Sequence, residues 1–152
     1  MSLHYRLATA TDVPIIVRML ADDTLGSQRE KSSDAISDKY IKAFERIVAD
    51  PNQELTIVEM DGEIVATFQL SFIQYLTYEG GIRAQVEAVR TSSSHRGQGI
   101  GGKVFDYIIE RAKQKGCHMV QLTSDKKRSD AIRFYESKGF VSTHEGMKLH
   151  LG

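Results

Sequence analysis

The stretch Arg96-Gly97-Gln98-Gly99-Ile100-Gly101-Gly102-Lys103 decides how this chain is read. Upstream lies Gln85-Val86-Glu87-Ala88-Val89-Arg90-Thr91, a strand-like run. Downstream, Ile100, Val104, Ile108 and Ala112 are spaced by four, which predicts a helix. Glycine weakens both strands and helices, so four glycines in six positions are not there for packing. They supply backbone that curls tightly and lets a ligand come close. A run of N–H groups leading into a helix start binds anions. The unit therefore predicts a site for a negatively charged group of the phosphate kind, between a strand and a helix.

The rest of the chain bounds that reading. Its 152 residues suit one domain, with 41% hydrophobic and 26% charged residues, as in soluble globular proteins. No apolar run approaches the ~20 residues of a membrane helix. The N-terminus, Met1 to Arg6, lacks the apolar core of an export signal, and the single cysteine, Cys117, fits a reducing cytoplasm. Cys117 reads as a small buried hydrophobe rather than a catalytic thiol. Net charge is zero, which argues against a nucleic-acid binder. The distribution is uneven: residues 1–75 carry 7 basic against 12 acidic side chains, and residues 76–152 carry 13 against 8. Either this is chance, or an anionic ligand sits on the second half and a cationic one is drawn to the first.

Along the chain, Leu3 to Leu7 predicts a first strand. Thr9 to Asp12 supply caps for a helix with Pro14 in its first turn and Val13, Ile16, Val17 and Leu20 on one face. Residues 22–33 are polar and read as a connection. A second helix is expected over 35–48, with Ile36, Tyr40, Ala43, Phe44 and Ile47 on one face. Strands over 54–60 and 63–72 flank Asp61-Gly62, a hairpin signal. A strand over 83–91 leads to the glycine loop and its helix, which Gly116 ends. A strand over 118–123 follows, then a helix over 130–138 stopped by Gly139. Residues 140–143 and 147–151 read as a final hairpin around Glu145-Gly146. The predicted order is βααβββαβαββ, an α/β (α+β) mixed sheet with helices on both faces.

Two familiar phosphate motifs fit poorly. The NTPase phosphate loop needs a hydroxyl after its lysine, and Val104 follows Lys103. Gly97-x-Gly99-x-x-Gly102 has dinucleotide-fold spacing, with Asp125 at about the right distance. That motif, however, belongs to the first strand of a parallel βαβ array, and antiparallel hairpins precede this one.

Arg96-x-x-Gly99-x-Gly101 resembles the R/Q-x-x-G-x-G/A signature of the GNAT superfamily of N-acetyltransferases. Asp130-Ala131-Ile132-Arg133-Phe134-Tyr135-Glu136-Ser137-Lys138-Gly139-Phe140 resembles that family's second hallmark, and Arg6-Leu7-Ala8-Thr9-x-x-Asp12 its usual opening. The resemblance covers the whole chain. It implies acetyl-CoA as cosubstrate, bound where two parallel strands, 85–91 and 118–123, splay apart. It further implies that the backbone of Val89 and Thr91 binds the pantetheine arm as an added strand. Amides of Arg96, Gly97, Gln98, Gly99, Ile100 and Gly101, with Gly102 completing the curl, would hold the pyrophosphate. Arg96 would add a charge-assisted bond unless it caps a local carbonyl, and Lys103 is a further contact or a solvated side chain. Phe134 and Asp130 are carried as cofactor-side residues. Asp130 stands where relatives often have asparagine and could cap its helix. Ser92-Ser93-Ser94-His95 replaces a common proline and aromatic, which bears on how rigidly the loop begins.

The chemistry follows from the ligand. A thioester is attacked by a neutral amine, whereas an alkylammonium has a pKa near ~10.4, so a base or a water chain must take a proton. Tyr135 resembles the family's acid for the leaving thiolate, against a reading as core aromatic beside Phe134. Glu87 is the candidate base, against a salt bridge to Arg83 or Arg90. Strand alternation puts Glu87, Val89 and Thr91 on one side. His4, His95, His118, His144, His150 and Cys117 show no metal-ligand spacing, and no metal is expected. The expected acceptor is a primary amine of a small molecule, with residues 24–39 and 74–81 as its mouth. Peptide or protein lysines, protein N-termini, and a non-catalytic acyl-CoA sensor are the alternatives. Neither nucleic acid nor membrane is expected as a partner. A homodimer is compatible with such folds.

Overall fold

A computed structural model describes residues 1–22, 26 and 36–152. The chain divides into two units, Met1–Gln121 and Leu122–Gly152. The first holds a five-stranded sheet in the order β1 (His4–Leu7), β2 (Gln53–Met60), β3 (Glu63–Gln74), β4 (Ile82–Thr91), β5 (Met119–Gln121). The first four strands pair antiparallel, and β4 and β5 are parallel. Between β1 and β2 lie α1 (Val13–Ala21) and α2 (Asp38–Ala49); α3 (Ile100–Gln114) connects β4 to β5.

Local chemistry accounts for these elements. Pro14 sits in the first turn of α1, where its missing N–H costs nothing. Ser37 caps α2, its hydroxyl accepting from the Lys39 amide at 3.2 Å. Position 35, where that helix was expected to begin, and residues 23–25 and 27–33 of the polar connection lie outside the described residues. Asp61 (φ 52°) and Gly62 (φ 79°) are both left-handed, as a two-residue hairpin turn of this hand requires. Helix α3 ends at Gly116 (φ 74°) with the Cys117 amide on the Ala112 carbonyl and the Gly116 amide on that of Lys113, the paired bonds of a Schellman cap.

The sheet is covered on both faces. Even-numbered β3 residues Phe68, Leu70 and Phe72 point with Val58, Ala84 and Val86 toward α3, whose Ile100, Val104, Phe105, Ile108 and Ala112 are buried. Tyr107 brings its ring 6.0 Å from Phe68 and stacks at 3.9 Å on Tyr5. Arg111 pins α3 to β2 through a bidentate pair with Glu54 (2.9 and 2.5 Å). On the other face α1 buries Val13, Ile16 and Val17.

The start of α1 is fixed by a buried carboxylate. Asp12 accepts from Arg6 (2.7 and 3.0 Å) and from the amide and hydroxyl of Thr9 (2.7 and 3.1 Å). The Arg6 bond, ahead of the Thr9 bonds, holds the Asp12 carboxyl down to about 2 against a burial penalty. A carboxyl depressed in the folded state stabilises above its ordinary range and loses that contribution as pH falls toward its folded value. This shift corresponds to about 2 kcal/mol. Asp12→Asn is therefore expected to cost roughly that much at neutral pH and to flatten the acid limb between pH ~4 and ~2, measured by urea denaturation.

In the second unit, α4 (Ser129–Ser137) ends at Gly139 (φ 99°) in the same cap, with the Phe140 amide on the Tyr135 carbonyl (3.1 Å) and the Gly139 amide on that of Glu136 (3.0 Å). Three expectations are corrected. No strand forms over residues 140–152, so the final hairpin of the predicted order is absent from the described residues. Gly146 is not left-handed, and Glu145 instead pairs with Lys126 at 3.2 Å, so the turn that would close a hairpin is not made. The fifth strand is three residues long rather than six. Asp130 is the second residue of α4, paired with Arg133, and does not cap it.

Candidate functional site

Strand β4 does not alternate to its end. Thr67 pairs with Arg90 but Gln69 with Glu87, so Ala88 and Val89 together oppose Phe68. Ala88 adopts φ 54°, a left-handed alanine at a bulge. The side chains of Glu87, Val89 and Thr91 therefore do not share one face, correcting the alternation argument. No residue type announced this, since alanine lacks the glycine signal that normally marks a left-handed bulge. Pairing with β5 runs only from Arg83↔Met119 to Gln85↔Gln121, so the parallel ladder stops before the bulge.

Beyond Thr91 the chain turns through a 3-10 segment, Ser93–His95. The Ser92 amide bonds the Val65 carbonyl (2.8 Å), and the Ser92 and Ser94 hydroxyls both reach His95 Nδ1 (3.1 and 3.0 Å). His95 Nε2 lies 3.4 Å from Glu63. This hydroxyl–imidazole cluster ties together the start of the loop. Gly97 (φ 77°) and Gly99 (φ 81°) are left-handed, and among the described residues nothing lies within 4 Å of where a Cβ would stand on either. Their glycine character is thus a backbone requirement. Helix α3 then begins at Ile100 without a side-chain cap, anchored by the buried Ile100 side chain. The first amides, of Ile100, Gly101 and Gly102, stand at the positive end of a fifteen-residue helix, and Lys103 is exposed.

Arg96 reaches back across this curl. Its guanidinium donates to the Asp22 carbonyl (3.0 Å) and the Thr91 carbonyl (3.4 Å) and lies 3.7 Å from the Asp22 carboxylate. The guanidinium thus ties the start of the curl to the end of α1 and to the end of β4. Gln98 is exposed. The Val89 carbonyl accepts from Arg90 Nη1 at 2.9 Å.

Glu87 is exposed on the sheet face that also carries Gln69, and it accepts from Gln85 Nε2 at 3.1 Å. Next to it, between α1, α2 and the sheet, lies an open apolar cavity of about 110 Å³. Ile16, Leu20, Tyr40, Phe44, Gln69 and Ala88 are among its walls. The amphipathic face expected on α2 is thus real, yet it lines space and has no fully buried residue.

In the second unit, Tyr135 packs between Phe134 (5.6 Å) and Phe140 (6.0 Å) near the end of α4. Among the described residues no group of three His, Cys, Asp or Glu side chains could hold a metal ion. Burial pushes the Cys117 thiol up, disfavouring a thiolate. No described helix is long and apolar enough to cross a membrane.

The acetyltransferase (GNAT) family model matches residues 17–140. An aminoalkylphosphonate N-acetyltransferase of Salmonella typhimurium is 29% identical over 101 residues, 66% of this chain and 65% of its own. The chain thus spans just under two thirds of that relative. A solved Bacillus halodurans C-125 structure described as a transcriptional regulator is 48% identical, covers 99% of this chain and 100% of its own, and superposes with a TM-score of 0.94. A Clostridium acetobutylicum structure described as a predicted acetyltransferase with acetyl-CoA, 24% identical over 98% of this chain and 96% of its own, shares the fold with a TM-score of 0.74. The chain belongs to the acetyltransferase (GNAT) family.

Proposed function

We propose that this chain transfers the acetyl group of acetyl-CoA to a primary amine of a small molecule by direct attack in a ternary complex. The observation that carries the reading is the left-handed pair Gly97 and Gly99 opening an uncapped α3, directly after a bulged strand whose parallel partner has ended. This cradle suits a diphosphate.

When bound, acetyl-CoA supplies an activated acyl carbon and a thiolate leaving group. The amides of residues 96–101, with Gly102 and Lys103, hold the diphosphate, and the backbone of Val89 and Thr91 aligns the pantetheine arm. Glu87, directly or through water, takes one proton from the substrate ammonium, freeing the lone pair that forms the N–C bond. The Val89 amide faces the charge that develops on the carbonyl oxygen. As the C–S bond breaks with its electron pair on sulfur, the Tyr135 hydroxyl protonates it and is restored by the second amine proton. Phe134 and Asp130 are assigned to the cofactor side. The aminoalkylphosphonate relative supports a compact amine as acceptor. We assign the chain to the cytoplasm, with no metal required.

Incubation with acetyl-CoA and a panel of amino acids, aminoalkylphosphonates, polyamines and lysine peptides is expected to release free thiol with at least one small amine. The 48%-identical chain described as a transcriptional regulator favours a second reading, an acyl-CoA-binding sensor. Tight coenzyme binding without thiol release for any amine would establish that reading and refute transfer.

A further inference from the structure

Arg83, Gln85 and Glu87 occupy alternate positions of β4, and Gln121 of β5 is paired with Gln85. Their side chains form one continuous line. Arg83 Nη1 donates to Gln121 Oε1 at 3.2 Å, Gln121 Nε2 to Gln85 Oε1 at 2.7 Å, and Gln85 Nε2 to Glu87 Oε1 at 3.1 Å. The direction is forced by chemistry: a guanidinium only donates and an ionised carboxylate only accepts, so both amides must present oxygen toward Arg83 and nitrogen toward Glu87. Bonds aligned this way polarise one another.

The two ends of the line are also specified. Arg83 lies over the rings of Tyr75 (4.6 Å) and Tyr78 (5.5 Å). Tyr78 belongs to a turn in which Tyr78, Glu79 and Gly80 are all left-handed, and its ring meets His118 at 5.0 Å. Gly81 passes so close to that imidazole that a Cβ there would collide with His118 Nδ1, and Nδ1 itself lies 2.9 Å from the Ile82 carbonyl. At the other end, the Gln85–Gln121 bond bridges the last rung before β4 and β5 cease to pair, and Glu87 is the residue immediately before the bulge.

We propose that Gln85 and Gln121, oriented by Arg83, are positioning residues for Glu87, fixing its carboxylate at the place where the parallel strands part. This rests on the assignment of Glu87 as the proton acceptor. A carboxylate at an open strand end samples several rotamers, and a one-ångström misplacement of a base is costly in rate. The line holds it in one position and makes that position depend on the seam between β4 and β5.

The test is a set of mutant cycles in the full chain, with acetyl-CoA and the fastest amine of the panel above. Gln85→Leu and Gln121→Leu are each expected to lower kcat about tenfold, with KM for both substrates changed less than about twofold. In a Glu87→Ala background, itself slowed about 10²-fold or more, neither substitution should lower kcat further. Gln85→Thr serves as a second variant suited to a strand, and thermal midpoints verify folding. If the glutamine effects persist undiminished in Glu87→Ala, they are structural and the positioning role is overturned. Full activity in Glu87→Ala alone would instead remove the base assignment, and the positioning role with it. Failure of every amine in the panel would refute the transferase reading on which both depend.

Discussion

Tyr135→Phe is expected to lower kcat by about 10²-fold or more, with coenzyme affinity close to that of the parent. The substitution removes one hydroxyl and nothing else. The ring keeps its edge contacts with Phe134 and Phe140, and the Tyr135 carbonyl keeps its α4 cap bond from the Phe140 amide. With a thermal midpoint matching the parent, the loss reports the hydroxyl's chemistry. If the hydroxyl protonates the leaving sulfur, the deficit should shrink with an acyl donor whose thiol is a weaker base, because less proton transfer is then needed. Near-normal turnover of acetyl-CoA by Tyr135→Phe would reject the acid role and leave Tyr135 as a packing aromatic.

The second large effect is on binding. Gly99→Val should weaken coenzyme binding by about 10²-fold, because a β-branched residue at φ 81° is a genuine outlier and the α3 start must shift to relieve it. None of the described residues occupies the Cβ position, so no collision with them contributes. Gly99→Asn separates the remaining causes. Asparagine tolerates left-handed backbone, so if conformation alone matters it should bind within about tenfold of the parent. Equal loss in both variants would mean that the space above Gly99 is itself needed by the ligand. Isothermal titration reads either outcome directly.

Much of the architecture was legible because it is written in residues with one conformational use. Gly116 and Gly139 stop their helices in the predicted places, Asp61-Gly62 turns the β2–β3 hairpin, and Pro14 opens α1. The glycine loop was legible for the same reason. What stayed hidden is non-local or uses ordinary residues for unusual backbone. Ala88 carries the bulge in a letter that gives no warning. Arg96 finds the Asp22 carbonyl 74 residues away, a contact that no local spacing reveals. The line from Arg83 to Glu87 exists only because register sets Gln121 opposite Gln85, and no spacing within one strand reveals it. The C-terminal segment misled in the other direction. Val141, Met147, Leu149 and Leu151 alternate as a hairpin would, yet all are exposed, because alternation states a preference for a face without supplying a partner.

The account turns on the curl after Thr91 holding a coenzyme diphosphate. Calorimetric titration of the folded chain with coenzyme A and, separately, with its dephosphorylated pantetheine fragment tests this most directly. The account predicts saturable heat with coenzyme A and affinity weaker by about 10²-fold or more for the fragment. Equal affinity for both, or no heat with either, would contradict it.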